Sequence, residues 1–340
     1  MRVLESGVTE LLEYIQAHVV TCLIPAFFIA GAIAVFVSKQ SVLKYFGRDA
    51  KKSVSYSVAA VSGAILAACS CTVIPLFAGI YRRGAGIGPA TAFLYSGPAI
   101  NILAVVFTAR ILGITVGIAR AVLAVIMAVM VGLVMAFLYA EDERGVPSLK
   151  VHTEEENPYK KVAFFVDLVL ILVIGASRLE NSIKIPVVLG LLAFLLLMIM
   201  TWQNRFETKL WVSETWNLSK MIFPYLVIGV FAAGVIKEFL PPEYVSRFVG
   251  GNSLSANAIA SVAGAVMYFA TLTEVPIVES LRSLGMGRGP ELALLLAGPA
   301  LSLPNMLAIR QVLGNKKTIT YILLVVVFAT VSGFVYGEIV

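Results

Sequence analysis

Charge is what this sequence has least of. Asp, Glu, Lys and Arg make up 14% of its 340 residues, while 59% are hydrophobic. Soluble domains average about 25% charged and about 45–50% apolar, so a soluble globular enzyme is excluded. Histidine is nearly absent: His18 and His152 lie far apart and far from the paired cysteines, which leaves a His-bearing zinc site unsupported. The three cysteines, Cys22, Cys69 and Cys71, all fall in apolar stretches, the wrong setting for a secreted disulfide framework. No GxxxxGK followed by Ser or Thr occurs, which argues against ATP hydrolysis by this chain. The ten-residue alternation of a membrane β-barrel is missing too. The N-terminus, MRVLESGVTELLEYIQAH, is acidic and amphipathic. It lacks the basic end, apolar core and small-residue cleavage site of a signal peptide.

What is present is apolar sequence in long blocks, with a mean hydropathy of +0.92. A helix needs ~20 residues to cross a bilayer. Ten segments approach that length: about 18–37, 54–81, 88–109, 114–139, 162–177, 186–202, 219–239, 254–281, 289–309 and 318–338. With no water to bond their amides, these must be helices. The expected fold class is an all-α polytopic membrane protein. The fifth segment is short and carries Asp167. Between the fourth and fifth lies EDERGVPSLKVHTEEENPYKK, a polar linker that must stand in water. The net charge of +6 comes largely from loops such as RDAKK, RR and NKK. In that position, basic residues serve as orientation signals and contacts for anionic head groups rather than for nucleic acid. Assigned to alternate sides of ten spans, Lys and Arg divide nearly evenly and choose no orientation.

The chain repeats itself at an offset of 201 residues. CSCTVIPLFAGIYRRGAGIGPATAFLYSGPA then lies on ATLTEVPIVESLRSLGMGRGPELALLLAGPA without a gap. Thr72 falls on Thr273, Pro75 on Pro276, Gly84 on Gly285, and Gly97 and Pro98 on Gly298 and Pro299. Shared apolar composition would not place every proline in register. The division expected is an amphipathic N-terminus (1–17), a first four-helix repeat (18–139), the linker (140–161), connecting helices (162–218) and a second repeat (219–338).

Each repeat carries two interruptions. Pro75 and Pro276 lack an amide hydrogen and free a carbonyl one turn earlier. SGPAIN (96–101) and AGPALSLPN (297–305) interrupt the following segments. At 1.5 Å per residue, all four breaks fall about 10–16 Å from the intervening loops, near the middle of a ~30 Å core. Broken helices meeting there expose amides and carbonyls to a substrate. The candidate binding residues are Cys69, Ser70, Cys71, Thr72, Ser96, Asn101, Thr271, Thr273 and Asn305. Asn101 and Asn305 either bind substrate or cap half-helices. The two thiols either ligate a soft species such as Cu(I) or trivalent arsenic, or are small packing residues.

Glu274 stands where the first repeat has Val73. A carboxylate at mid-membrane usually marks an ion pathway or proton relay; the alternative is an acid satisfied by a neighbouring helix. Arg120, inside an apolar segment, either pairs with Glu274 or snorkels to the nearer interface.

The run CSCTVIPLFAGIYRRGAGIGPATAFLYSGPAIN resembles the predicted permease family that includes the organoarsenical efflux permeases, ArsP, and the YraQ-like permeases. The residues carrying the resemblance are Cys69, Ser70, Cys71, Thr72, Pro75, Leu76, Gly79, Arg82, Arg83, Gly84, Ser96, Pro98 and Asn101. It implies a multi-pass permease of the inner membrane, with trivalent methylated or aromatic arsenicals as one substrate class. The second repeat has no cysteine, so a three-thiol arsenic site would depend on Cys22. The function expected is an exporter driven by a proton or other cation gradient, with no bound cofactor and no firm metal site. Its partners are the lipid bilayer and a small solute, and a homo-oligomer is compatible with the sequence. The alternatives are a carrier of small inorganic or sulfur-containing anions, a thiol-redox carrier cycling a Cys69–Cys71 disulfide, and a non-transporting scaffold.

Overall fold

Amides that find no water must bond within their own segment, and the helix does this at every residue. The computed structural model describes residues 2–16, 19, 23–37, 45–46, 50–65, 70–140, 158–177, 180–239, 248–267 and 274–340. Among them are fifteen α-helices and one isolated β-bridge, between Gly250 and Met286. The helices are α1 (Arg2–Tyr14), α2 (Ile24–Phe36), α3 (Lys52–Ile65), α4 (Ser70–Arg82), α5 (Ile87–Ala99), α6 (Ile102–Ile111), α7 (Ile114–Leu138), α8 (Pro158–Ala176), α9 (Asn181–Trp202), α10 (Arg205–Phe239), α11 (Leu254–Val266), α12 (Glu274–Ser283), α13 (Arg288–Leu301), α14 (Leu303–Leu313) and α15 (Asn315–Ile339). The amphipathic N-terminus forms α1, and four of the ten apolar segments divide into two helices each.

By length and composition α7, α9 and α15 can each cross a membrane, and α5–α6 and α13–α14 can cross as bent pairs. The bends are 44° and 48°. Helix α9 packs on α8 through Leu195 and Met198 and exposes apolar side chains over most of its remaining surface, among them Leu189, Leu196 and Met200, as a lipid-facing helix should.

Two of the divided segments are not bent spans but hairpins. Helix α3 starts beside the start of α5, where a Cβ added to Gly88 would strike the Tyr56 hydroxyl. Deeper in, Ser96 Oγ donates to the Ala59 carbonyl at 3.2 Å. Helix α4 then comes back: Val73 lies against Gly97, and Arg83 beyond its end donates to the Val37 carbonyl at 2.6 Å. So α3 and α4 enter and leave at the same end of the molecule. Helices α11 and α12 do likewise at the opposite end. Asn252 and Asn257 lie beside Gly289, Gly264 lies beside Gly298, and Gly287 N–H donates to the Val249 carbonyl at 3.0 Å. Segments 54–81 and 254–281, expected as spans, are therefore re-entrant.

Helices α3 to α7 recur 201 residues later as α11 to α15, with nearly every end matching within one residue. Even the turn geometry recurs. Gly84 and Gly285, which close the loops after α4 and α12, have φ of 105° and 102°, a region that favours glycine. The two sets run in opposite directions. Tyr139, just past the end of α7, bonds Thr320 in the first turns of α15 at 2.6 Å. Arg282, near the end of α12, donates to the Leu112 carbonyl at 2.8 Å, just before α7 begins. Each hairpin also packs across onto the other set, α4 on α14 and α12 on α6. At the centre α5 packs on α13, and every residue of α5 is buried.

The helix-break residues need correction. Helix α4 runs through Pro75, and Pro276 is the third residue of α12. Pro276, in the first turn, removes only an amide that has no helical partner anyway, whereas Pro75 is the sixth residue of α4 and leaves the Cys71 carbonyl without its helical donor; in both repeats the helix is already under way at the proline. Gly97 and Pro98 lie inside α5, and Gly298 and Pro299 inside α13. The bends come slightly later, at Ile100–Asn101 and at Ser302.

Candidate transport site

Arg120 lies in the second turn of α7 and is wholly buried. It does not snorkel. Its Nη2 pairs with Glu274 Oε1, and its Nη1 donates to Thr108 Oγ1 at 2.8 Å. Thr108 Oγ1 in turn donates a hydrogen bond to the Ala104 carbonyl at 2.7 Å, which leaves a lone pair for the arginine. Glu274 is the first residue of α12 and also wholly buried. There the positive end of the helix dipole adds to the guanidinium in favouring the carboxylate. Arg120 Nε and Glu274 Oε2 have no partner among the described residues. The pair thus retains, among the described residues, one unengaged donor and one unengaged acceptor.

This ion pair joins the two oppositely directed sets, since α7 belongs to one and the α11–α12 hairpin to the other. Beside it, Tyr95 of α5 donates to the Leu296 carbonyl of α13 at 3.1 Å and contacts Met127 Sδ at 3.3 Å. Tyr95 and Leu296 are themselves 201 residues apart. The position 201 after Arg120 is Tyr321, fully buried, with a hydroxyl that has no partner among the described residues. Thr108, Tyr95 and Tyr321 are functional candidates that the motifs did not single out. The repeat offset could have found Tyr321, as the counterpart of Arg120.

The remaining candidates are placed as follows. Ser96 is engaged with the Ala59 and Phe93 carbonyls and stitches the first hairpin to α5. Asn101 Oδ1 accepts from Ala104 N at 3.4 Å, so it caps α6. Thr72 and Asn305 are buried at the starts of α4 and α14. Ser70 and Cys71 open α4, but their side chains lie outside the described residues, as do Cys69, Cys22, Thr271 and Thr273 altogether. Among the described residues no three of His, Cys, Asp and Glu gather as a metal site.

Comparison with known proteins agrees with this architecture. Residues 6–338 match the ArsP-type family described as predicted permease. The chain is 46% identical to a UPF0718 protein of Methanocaldococcus jannaschii, covering 99% of this chain and 96% of that one. It is 26% identical to the UPF0718 protein YraQ of Escherichia coli, over 79% of this chain and 62% of YraQ. No solved structure matches. A helical chain with buried charge at its centre, matched over almost its whole length, is thus a multi-pass membrane protein belonging to the ArsP-type predicted permease family.

Proposed function

We propose that this permease is an ion-coupled secondary transporter, built from two inverted repeats, in which separation of Arg120 and Glu274 is the coupling event. One observation carries the reading: a wholly buried ion pair whose partners come from the two oppositely directed sets of helices. Moving the α11–α12 hairpin away from α7 strips Glu274 of its counter-charge. An unpaired carboxylate in that interior costs several kcal/mol, so the carboxylate takes a proton as the pair opens and returns it as the pair re-forms. The two hairpins enter from opposite ends, so they give each side of the membrane its own gate at mid-depth.

The substrate class we assign is a small soft solute, such as a trivalent organoarsenical, exported across the inner membrane. The support is chemical: Cys69 immediately precedes α4 in sequence and Cys71 is its second residue, and thiolates favour soft ions. Cys69→Ser or Cys71→Ser should abolish efflux of a trivalent methylarsenical from proteoliposomes without changing the melting profile. A double Cys→Ala variant that still transports would make the thiols packing residues. One observation favours a second reading, a carrier of small oxyanions: Arg120 keeps Nε free and would present it to an anion once Glu274 leaves. Phosphate, sulfate and thiosulfate belong in the same transport panel.

A further inference from the structure

Glu291, in the first turn of α13, is as deeply buried as Glu274, yet the separation of Arg120 and Glu274 makes no use of it. Neither of its carboxylate oxygens has a hydrogen-bond partner among the described residues. Arg288, one turn earlier on the same helix, comes within 3.8 Å but is 40% exposed, so solvent weakens its attraction. The second cation beside Glu291 is Arg282, in the last turn of α12. Arg282 makes no hydrogen bond to Glu291 here; its Nη1 donates instead to the Leu112 carbonyl at 2.8 Å. A buried carboxylate without a hydrogen bond is costly. A strong acceptor and a strong donor thus stand near each other, with the donor engaged elsewhere.

Leu112 and Glu291 belong to different sets of helices. Leu112 joins α6 to α7, in the set from which α12 moves when the Arg120–Glu274 pair opens. Glu291 lies in the helix that follows α12, in its own set, just beyond the turn closed by Gly285. Motion of α12 away from α7 therefore breaks the bond to Leu112 and keeps Arg282 beside Glu291. The first hairpin is built otherwise. Tyr81, Ile87 and Ala90 stand 201 residues before Arg282, Arg288 and Glu291. Its return end is fastened within its own repeat, where the buried Arg83 donates to the Val37 and Val35 carbonyls of α2 at 2.6 and 3.3 Å. Residues 72–81 of α4 are all buried, whereas Pro276, Glu279, Ser280 and Ser283 of α12 are exposed. The second hairpin is the one with a free flank and a tether that can change partner.

We infer that Arg282 and Glu291 form a two-position latch for the α11–α12 gate, an inference that rests on the gate motion proposed above. With the gate shut, Arg282 holds the Leu112 carbonyl of the opposite set. With the gate open, it turns to the Glu291 carboxylate, which gains the charge-assisted hydrogen bonds it now lacks. Glu291 is thus a positioning residue of the transport cycle: it stabilises the open gate and touches neither solute nor coupling proton.

Double electron–electron resonance on the full chain in nanodiscs tests this, with spin labels on Ser283→Cys and Ile114→Cys in a Cys-free background. Both positions are exposed, one at the end of α12 and the other at the start of α7. The expected result is a short and a long distance population in the absence of any solute. Glu291→Gln should lower the long population relative to the short one at least about fivefold. Added to Arg282→Gln, the same substitution should change nothing further, and Glu291→Asp should keep more of the long population than Glu291→Gln does. Two populations that ignore Glu291→Gln would overturn the latch while leaving the gate motion in place. An effect of Glu291→Gln as large in the Arg282→Gln background as without it would also overturn the latch and leave Glu291 a partner of Arg288 alone. A single short distance in every variant, Glu274→Gln included, would overturn the latch together with the gate motion on which it rests.

Discussion

A buried charge is tolerated when its partner is fixed, and Arg120 has two fixed partners, Glu274 and Thr108. Removing one member strands the other, a loss of about 3–5 kcal/mol in protein interiors, whereas removing both together costs far less. Arg120→Met and Glu274→Gln should each lower the melting temperature in detergent, and the double variant should recover much of the loss. Additive losses would mean that the two groups do not interact. Of this site, Glu274 was legible from the sequence, because a lone acid two residues before a proline in an apolar run stands out. Arg120 was visible, but its choice between pairing and snorkelling was not, since that depends on how far α12 lies from α7. Tyr95 and Thr108 look like ordinary residues of apolar helices; only their neighbours across the fold give them a role.

Among the elements, the hairpins and bends carry the architecture. Asn101 satisfies the start of α6 after the bend, and loss of such a cap costs about 0.5–2 kcal/mol. Asn101→Ala should therefore destabilise the protein while Asn101→Ser, which keeps a capping oxygen without adding a charge, loses less, as measured by thermal unfolding; equal losses would remove the capping role. Gly79 is where α4 approaches α2 closely, and a Cβ there would come within 2.7 Å of the Ala30 carbonyl oxygen. That is backbone against backbone, so Gly79→Val should cost about 1–3 kcal/mol, and an unchanged melting temperature would contradict the packing. Hydropathy located these elements but misread two. A run of 28 apolar residues such as 54–81 is the same length whether it crosses the bilayer or turns back inside it. Pro75 and Pro276 signalled an irregularity, yet Pro276 sits in the first turn of α12, where a proline marks a helix start as readily as a break, and α4 runs on through Pro75.

On the scale of the whole molecule, the hairpins change the charge balance between the two ends. Because α3 and α4 return to the end they left, Lys51, Lys52, Arg82 and Arg83 share it with one another, and Lys316 and Lys317 join them through Tyr139. Near the other end, Arg282 and Arg288 stand close to Glu291. The even division read from ten alternating spans came from placing both hairpins as crossings. The positive-inside rule then predicts that the end bearing Lys52 faces the cytoplasm: Lys52→Cys in a Cys-free background should be labelled by an impermeant maleimide in inverted vesicles and not in intact cells. The central claim concerns the ion pair that ties the two inverted sets together. It is tested most directly in proteoliposomes, by following a trivalent methylarsenical, or whichever solute of the panel the wild type moves, with and without an imposed pH difference. The account predicts that the wild type responds to the pH difference, while Glu274→Gln ignores it and still exchanges solute down its own gradient. Transport by Glu274→Gln that remains driven by pH would contradict it and leave the pair a structural clamp.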